Sequence, residues 1–246
     1  MLVKTIAQQF PGRVRVQEEN FGESALAERF GVKRYPAVFV NEVLVAKPKD
    51  FGFFGKSGSQ GAGRYTPWLK PENQMRFRED MGRIVKQALR GELSASAATG
   101  APEEESLRQL PKFLLKDLAG VEVNSSALEE TVTIVEFWAT WCPPCIKALP
   151  WLSELQAQHP TQLQILGVAI ESPLGDLRAI NERFELPFPV VQGTAELAID
   201  FGDLVAVPTT FVFGVGGKLI QVFHGAPPTL KQDIEALLEV LGVDKR

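Results

Sequence analysis

The chain has 246 residues, 45% hydrophobic and 23% charged, enough for more than one buried core. Its formal net charge of −4 gives no electrostatic ground for binding nucleic acid or an anionic membrane. No apolar run reaches the roughly 18–20 residues that cross a bilayer.

In chain order, the first half reads as a helix to about Gln9, a strand at RVRVQ (Arg13–Gln17) and a helix at ESALAERF (Glu23–Phe30). A strand pair within AVFVNEVLVA (Ala37–Ala46) and a helix from about Glu72 to Leu89 complete it. The opening MLVKTIAQQFPGRV lacks the apolar core and small-residue cleavage site of a signal peptide, so an export signal is expected outside these residues if the protein is exported. DFGFFGKSGSQGAG (Asp50–Gly63) contains Gly55-Lys56-Ser57, but Asp50 stands where a phosphate-binding loop needs its first glycine. We read it as a loop whose neighbouring aromatics, Phe51, Phe53, Phe54, Tyr65 and Trp68, pack onto the domain.

GELSASAATGAPEEES (Gly91–Ser106) is small, polar and acidic, and reads as a linker. The expected domains are therefore residues 1–90 and 107–246. Beyond the linker, TVTIVEFW (Thr131–Trp138) reads as a buried strand. A helix follows, with Ile146, Leu149, Leu152 and Leu155 every three residues and Pro150 expected to kink it. LQILGVAI (Leu163–Ile170) is a second buried strand, PLGDLRAINERF (Pro173–Phe184) a helix, and TTFVFGVGGKLIQVF (Thr209–Phe223) a hairpin around a Gly-rich turn. TLKQDIEALLEVLG (Thr229–Gly242) closes with an amphipathic helix. Alternating strands and helices with a terminal hairpin imply an α/β fold, a mixed central sheet covered on both faces. ERFGVKRYPAVFV and IDFGDLVAVPTTFVF echo each other, each placing Phe-Gly shortly before a proline that opens an apolar strand.

The only two cysteines, Cys142 and Cys145, lie in FWATWCPPC, after the strand and at the start of the helix. Three residues of separation put both sulfurs on one helix face within bridging reach. Cys142 falls at the positive end of the helix dipole, which stabilises the thiolate, the nucleophilic form. Pro143 is tolerated there because its missing N–H had no helical partner. A structural staple would close too small a loop to stabilise much. A zinc site needs about four ligands, and His159 and His224, expected at the surface or a sheet edge, follow no metal spacing from the cysteines. Two buried reduced thiols packing as small apolar groups remain the plainest alternative. The strand-to-helix setting favours redox chemistry over these.

VEFWATWCPPC resembles the active site of the thioredoxin superfamily, and its Pro-Pro pair resembles the TlpA/ResA/DsbE branch. The resemblance runs from about Gln109 to Gly242 and takes in AVPTTFVF, GKLIQVFHG and an insertion between LGVAI and FPVV. It implies a thioredoxin-like fold and a thiol–disulfide oxidoreductase that needs no cofactor. Cys142 then matches the attacking cysteine, Cys145 the resolving one, Trp141 the aromatic before the nucleophile, and Val207-Pro208 the cis-proline loop that faces the disulfide and pairs with substrate backbone. Glu136 matches the buried acid of thioredoxin, and a buried carboxyl with raised pKa would carry a proton to or from Cys145. Its other reading is a solvated, outward-facing glutamate. ResA-like members carry an acid shortly after the second cysteine, where this chain has Ala148.

The first half also resembles thioredoxin from its second helix onward, with Pro36 at the cis-proline position. The opening strand and CxxC helix of that fold have no counterpart here, and we expect the natural domain to extend further toward the N-terminus. The resemblance implies a reductase of protein disulfides, fed by a thiol electron donor and located outside the cytoplasm, in the periplasm. A cytosolic thioredoxin-like reductase is the neighbouring reading. The alternative from another class is a non-catalytic tandem binding module or metal chaperone.

Overall fold

The computed structural model describes residues 2–19, 25–32, 36–53, 63–93, 107–202 and 204–243. The core of the expected linker (residues 94–106), the Phe54–Ser57 stretch and Tyr35, and with it the Tyr35–Pro36 bond, lie outside them. The chain divides into two units, Met1–Glu105 with Asp203–Val205 and Ser106–Gly202 with Ala206–Arg246.

The first unit holds α1 (Leu2–Ala7), α2 (Ala25–Arg29), β1 (Val38–Val40), β2 (Val43–Ala46), a 3-10 turn (Pro48–Phe51) and α3 (Pro71–Leu89). β1 and β2 form an antiparallel hairpin whose turn places Asn41 at φ 54, a left-handed conformation that asparagine tolerates better than most residues. Pro71 opens α3, where its missing N–H costs no helical bond. Phe77, Met81 and Ile84, spaced by four and three residues, bury one face of that helix against Val45, Phe51 and Tyr65. Phe51, Tyr65, Trp68 and Phe77 meet edge-on or tilted at 5.0–5.6 Å, so the loop aromatics do pack inward. Leu93 joins this core, so the first residues of the expected linker pack with the unit.

The loop flanks are pinned by Asp50, which is buried. Its carboxylate accepts from Arg64 Nε and Nη2 at 3.1 and 3.0 Å and from the Lys47 N–H at 2.9 Å. A Cβ on Gly63 would fall 1.7 Å from the Lys49 carbonyl oxygen, so only glycine fits this crossing. The expected strand at Arg13–Gln17 does not form. Val14 and Val16 are half-buried and their neighbours exposed, so the alternation survives, but no partner strand meets it among the described residues.

The second unit starts with the hairpin β3 (Leu114–Lys116) and β4 (Glu122–Asn124), then α4 (Ser125–Leu128) and β5 (Val132–Trp138). α5 (Pro143–Gln158), β6 (Leu163–Ala169), α6 (Leu174–Phe184), β7 (Val190–Gln192) and α7 (Ala195–Asp200) follow, with β8 (Thr209–Phe213), β9 (Leu219–His224) and α8 (Leu230–Val240) at the end. The sheet order is β7-β6-β5-β8-β9, with β6 parallel to β5 and β7, and β8 antiparallel to β5 and β9. Helical crossovers are what parallel neighbours require. Every residue of the central strand β5 is buried, so both its faces are covered, as its unbroken apolar run implied. On one face Phe137 meets Phe201 and Phe211 at 4.9 and 5.7 Å. This is the mixed, helix-flanked α/β sheet expected.

α5 runs unbroken through Pro150, which sits on the exposed side where water can serve the Ile146 carbonyl that loses its helical donor. His159 is not a surface residue: at the C-terminal end of α5 it is buried, while His224 lies half-buried on the edge strand β9. The short elements β3, β4, α4, β7 and α7 were not anticipated, because runs of three to six residues carry too little periodicity to read.

Candidate active site

Cys142 and Cys145 form a disulfide, with Cα atoms 5.3 Å apart. Cys142 is the N-cap of α5 and Pro143 and Pro144 fill the next two positions. Two of the backbone donors that normally face outward from a helix start therefore do not exist. The first that remains, the Cys145 N–H, donates to Cys142 Sγ at 3.3 Å. The double proline thus concentrates the helix terminus on a single N–H aimed at one sulfur, and an N–H so placed stabilises a thiolate there. Cys142 is 5% exposed and Cys145 1%, so the first sulfur is the accessible one.

Cys142 Sγ lies 3.8 Å from the Val207 carbonyl oxygen. The disulfide sulfur has no hydrogen to donate, so this is a contact that a thiol would convert to a hydrogen bond. Val207–Pro208 is a cis peptide bond, as is Thr66–Pro67 in the first unit. The Pro208 carbonyl accepts from Gly225 N–H at 2.8 Å, and β8 begins at the next residue. Trp141 is half exposed, and its indole N–H donates to the Glu171 carbonyl at 2.9 Å.

Glu136, mid-way along β5, is only 2% exposed, which excludes the solvated reading. Its Oε2 accepts the Thr210 hydroxyl at 2.5 Å, and Thr210 is its register partner on β8. Burial pushes the carboxyl pKa from 4.5 up to about 7, and the hydroxyl bond offsets part of that rise. Trp138, two residues on, shares that face of the strand. Its buried indole N–H has no hydrogen-bond partner among the described residues, and a Cβ on Gly167 would come within 3.1 Å of it. Ala148, one turn past Cys145, is buried, so no carboxyl stands at that position. No group of three or more His, Cys, Asp or Glu suited to a metal ion occurs among the described residues.

Residues 107–222 match the AhpC/TSA family. The chain is 33% identical over 130 residues to the thiol-disulfide oxidoreductase ResA of Geobacillus kaustophilus, covering 52% of this chain and 74% of the relative. The thioredoxin-like protein YneN of Bacillus subtilis is 28% identical, over 54% of this chain and 78% of its own. The crystal structure of a thioredoxin-family thiol:disulfide interchange protein from Chlorobium tepidum superposes with TM-score 0.51 at 26% identity, covering 57% of this chain and 99% of that one. The chain belongs to the ResA-like thiol–disulfide oxidoreductases. It is a redox enzyme of that class, and its cysteine pair is the CXXC disulfide its sequence resemblance implied.

In this oxidoreductase the structure brings Cys142, Cys145 and Val207 together and places Pro208 and Trp141 immediately beside them. Glu136 is tied to the same region through β8, since Thr210 lies two residues after Pro208. Thr210 was missed at the sequence level. A cross-strand partner depends on register, which one chain's sequence does not declare. Thr140, Glu171 and Ser172 were missed as well, because the Thr140–Ser172 and Trp141–Glu171 bonds join loops about thirty residues apart in sequence.

Proposed function

We propose that the protein reduces disulfide bonds in polypeptide substrates, with Cys142 as nucleophile, Cys145 as resolving thiol and Glu136 as proton carrier. The Cys145 N–H on Cys142 Sγ is the observation that carries this assignment of roles. In the reduced protein, the Cys142 thiolate attacks one sulfur of the substrate disulfide. A Cys142–substrate bond forms, the substrate S–S bond breaks and one substrate thiolate leaves. Cys145, losing its proton toward Glu136, then attacks Cys142 Sγ, which forms the internal disulfide and expels the second substrate thiolate. Two electrons pass to the substrate, its two thiolates take up protons, and a thiol donor restores the dithiol. The Val207 carbonyl, 3.8 Å from Cys142 Sγ, is placed to accept a backbone N–H from the bound substrate chain beside Pro208, and Trp141 flanks it.

The site acts outside the cytoplasm, where substrates with disulfides persist. No helix among the described residues is long and apolar enough to cross a membrane. Residues 1–90 form an accessory thioredoxin-like domain without the CxxC region, residues 91–106 a linker and residues 107–246 the redox domain. Residues 1–90 carry no cysteine of their own for exchange. Equilibration of the Cys142–Cys145 pair in glutathione or dithiothreitol buffers tests the direction. A potential near about −270 mV, like thioredoxin's, supports the reductase, whereas one near about −120 mV, like DsbA's, makes the protein an oxidant. A pair that forms no reversible disulfide returns the chain to the binding-module alternative.

A further inference from the structure

The loop that leads into Cys142 is held by another loop. The Ile170 N–H donates to the Trp138 carbonyl at 2.9 Å, extending the β5–β6 ladder past its end. The Thr140 N–H donates to Ser172 Oγ at 2.9 Å, and the Ser172 hydroxyl donates onward to the Ile170 carbonyl, also at 2.9 Å. The Trp141 indole N–H donates to the Glu171 carbonyl between them. Three residues of the redox loop are thus bonded to three consecutive residues of the other, and the Gln192 amide reaches the Ser172 carbonyl from β7 at 3.3 Å. Ser172 is 8% exposed, so its hydroxyl does not exchange freely with water, and alanine there would leave the Thr140 N–H without its acceptor. Glu171 takes φ 43, a left-handed conformation unfavourable for a non-glycine residue. The Ser172 bonds on one side of it help to hold that turn.

From this geometry we propose that Ser172 is a positioning residue for substrate recognition. Through Thr140 and the Glu171 carbonyl it fixes the Trp141 ring beside the disulfide, as an apolar platform for a polypeptide with an apolar side chain next to its cystine. A tryptophan whose only polar atom is committed to backbone presents its ring faces to a partner. Trp141 keeps half its surface exposed while making that bond. The segment between β6 and β7 is thereby bonded to the redox loop at Glu171 and Ser172, and β7 braces it through Gln192. The proposal rests on the Cys142 reading for the chemistry, but not for the geometry of Trp141.

Two measurements test it on the full chain. In the wild-type protein, the Trp141 indole N–H, assigned by its loss in Trp141→Phe, exchanges with solvent more slowly than a free indole. Exchange at the free rate overturns the proposal, and Trp141→Phe serves only to assign the signal. The second compares Ser172→Ala with wild type on a disulfide peptide flanked by leucines, the same peptide flanked by serines, and oxidised glutathione. The expected result is about a tenfold rise in KM for the leucine peptide, equivalent to about 1.4 kcal/mol, with kcat and the other two substrates unchanged. Ser172→Thr, which keeps the hydroxyl, restores the wild-type KM. An equal loss on all three substrates overturns the proposal and leaves Ser172 merely structural. If wild type reduces none of them, the Cys142 reading falls, and the indole exchange still decides the role of Ser172.

Discussion

Among the described residues each unit buries one carboxylate, and the two meet different company. Asp50, 5% exposed, faces the Arg64 guanidinium through two bonds and a backbone N–H through a third. Glu136, 2% exposed, has the Thr210 hydroxyl and no paired cation among the described residues. A carboxylate bonded to a cation and to backbone at once acts as a fastener. One given a single neutral donor is held where its proton is exchangeable near neutral pH. Burial alone therefore does not mark a functional acid; the chemistry of the partner does. The same contrast separates the echoing segments around Phe30-Gly31 and Phe201-Gly202. In the first unit the strand after the proline pairs only with β2 among the described residues, while in the second it pairs with β5, the strand that carries Glu136 and leads to Cys142.

The largest effect belongs to the cysteines. Cys142→Ser is expected to lower disulfide reduction to the uncatalysed background, and Cys145→Ser to accumulate a covalent enzyme–substrate adduct that dithiothreitol releases. Mass spectrometry of Cys145→Ser after mixing with a disulfide peptide checks this. An adduct found instead on Cys145 of the Cys142→Ser protein would reverse the two roles.

Glu136→Gln comes next. It keeps an acceptor for Thr210 but cannot carry a proton, so turnover is expected to fall about 100-fold and the inflection near pH 7 to vanish from the rate profile. Stability moves in the opposite sense. Between pH 4.5 and 7 the folded protein keeps a proton on Glu136 that the unfolded chain has released. Wild-type stability therefore falls as pH rises through that window, by about 3 kcal/mol from this one group, given 1.36 kcal/mol per pKa unit. Glu136→Gln removes that slope. Denaturant titrations of both oxidised proteins at pH 4.5 and 8 read it directly, and parallel curves would mean that Glu136 is not the group that titrates.

The sequence made the second unit's sheet legible because its strands are long. TVTIVEFW and LQILGVAI are continuous apolar runs, and a strand buried on both faces needs nothing subtler. The cysteine pair was legible for a similar reason: its position at a strand-to-helix junction is a local fact. Arg13–Gln17 forms no strand because alternation describes side chains while a strand needs a partner's backbone, and none meets it among the described residues. His159, expected at the surface or a sheet edge, is buried at the C-cap of α5, and burial past a helix end leaves no periodic signal to read. Thr210 and Ser172 stayed hidden since each matters only through a partner distant in sequence.

Asp50→Asn sharpens the contrast from the other side. It leaves Arg64 facing a neutral amide and weakens both bonds, at a cost of about 2–3 kcal/mol to the first unit's melting. Turnover per folded molecule is expected to stay at the wild-type value, because no step of the exchange uses Asp50. Calorimetry together with a disulfide-reduction assay separates the two effects, and a loss of turnover would give the first unit a share in the chemistry.

The smallest effect tests the face that Glu136 shares with Trp138. Gly167 is the register partner of Glu136 on β6, and a methyl group there would stand 3.1 Å from Trp138 Nε1, 3.4 Å from Val190 Cγ2 and 3.5 Å from Phe188 Cε2. The last two are ordinary contacts, so the indole alone has to give way. Overpacking of that size costs about 1 kcal/mol. Because Trp138 and Glu136 project from the same side of β5, displacement of the ring also changes what surrounds the carboxyl. Gly167→Ala is thus expected to shift the pH inflection near 7 while leaving the fold and the cysteine pair intact. A stability loss without any shift in the inflection would confine Trp138 to packing and leave Thr210 as the group that tunes Glu136.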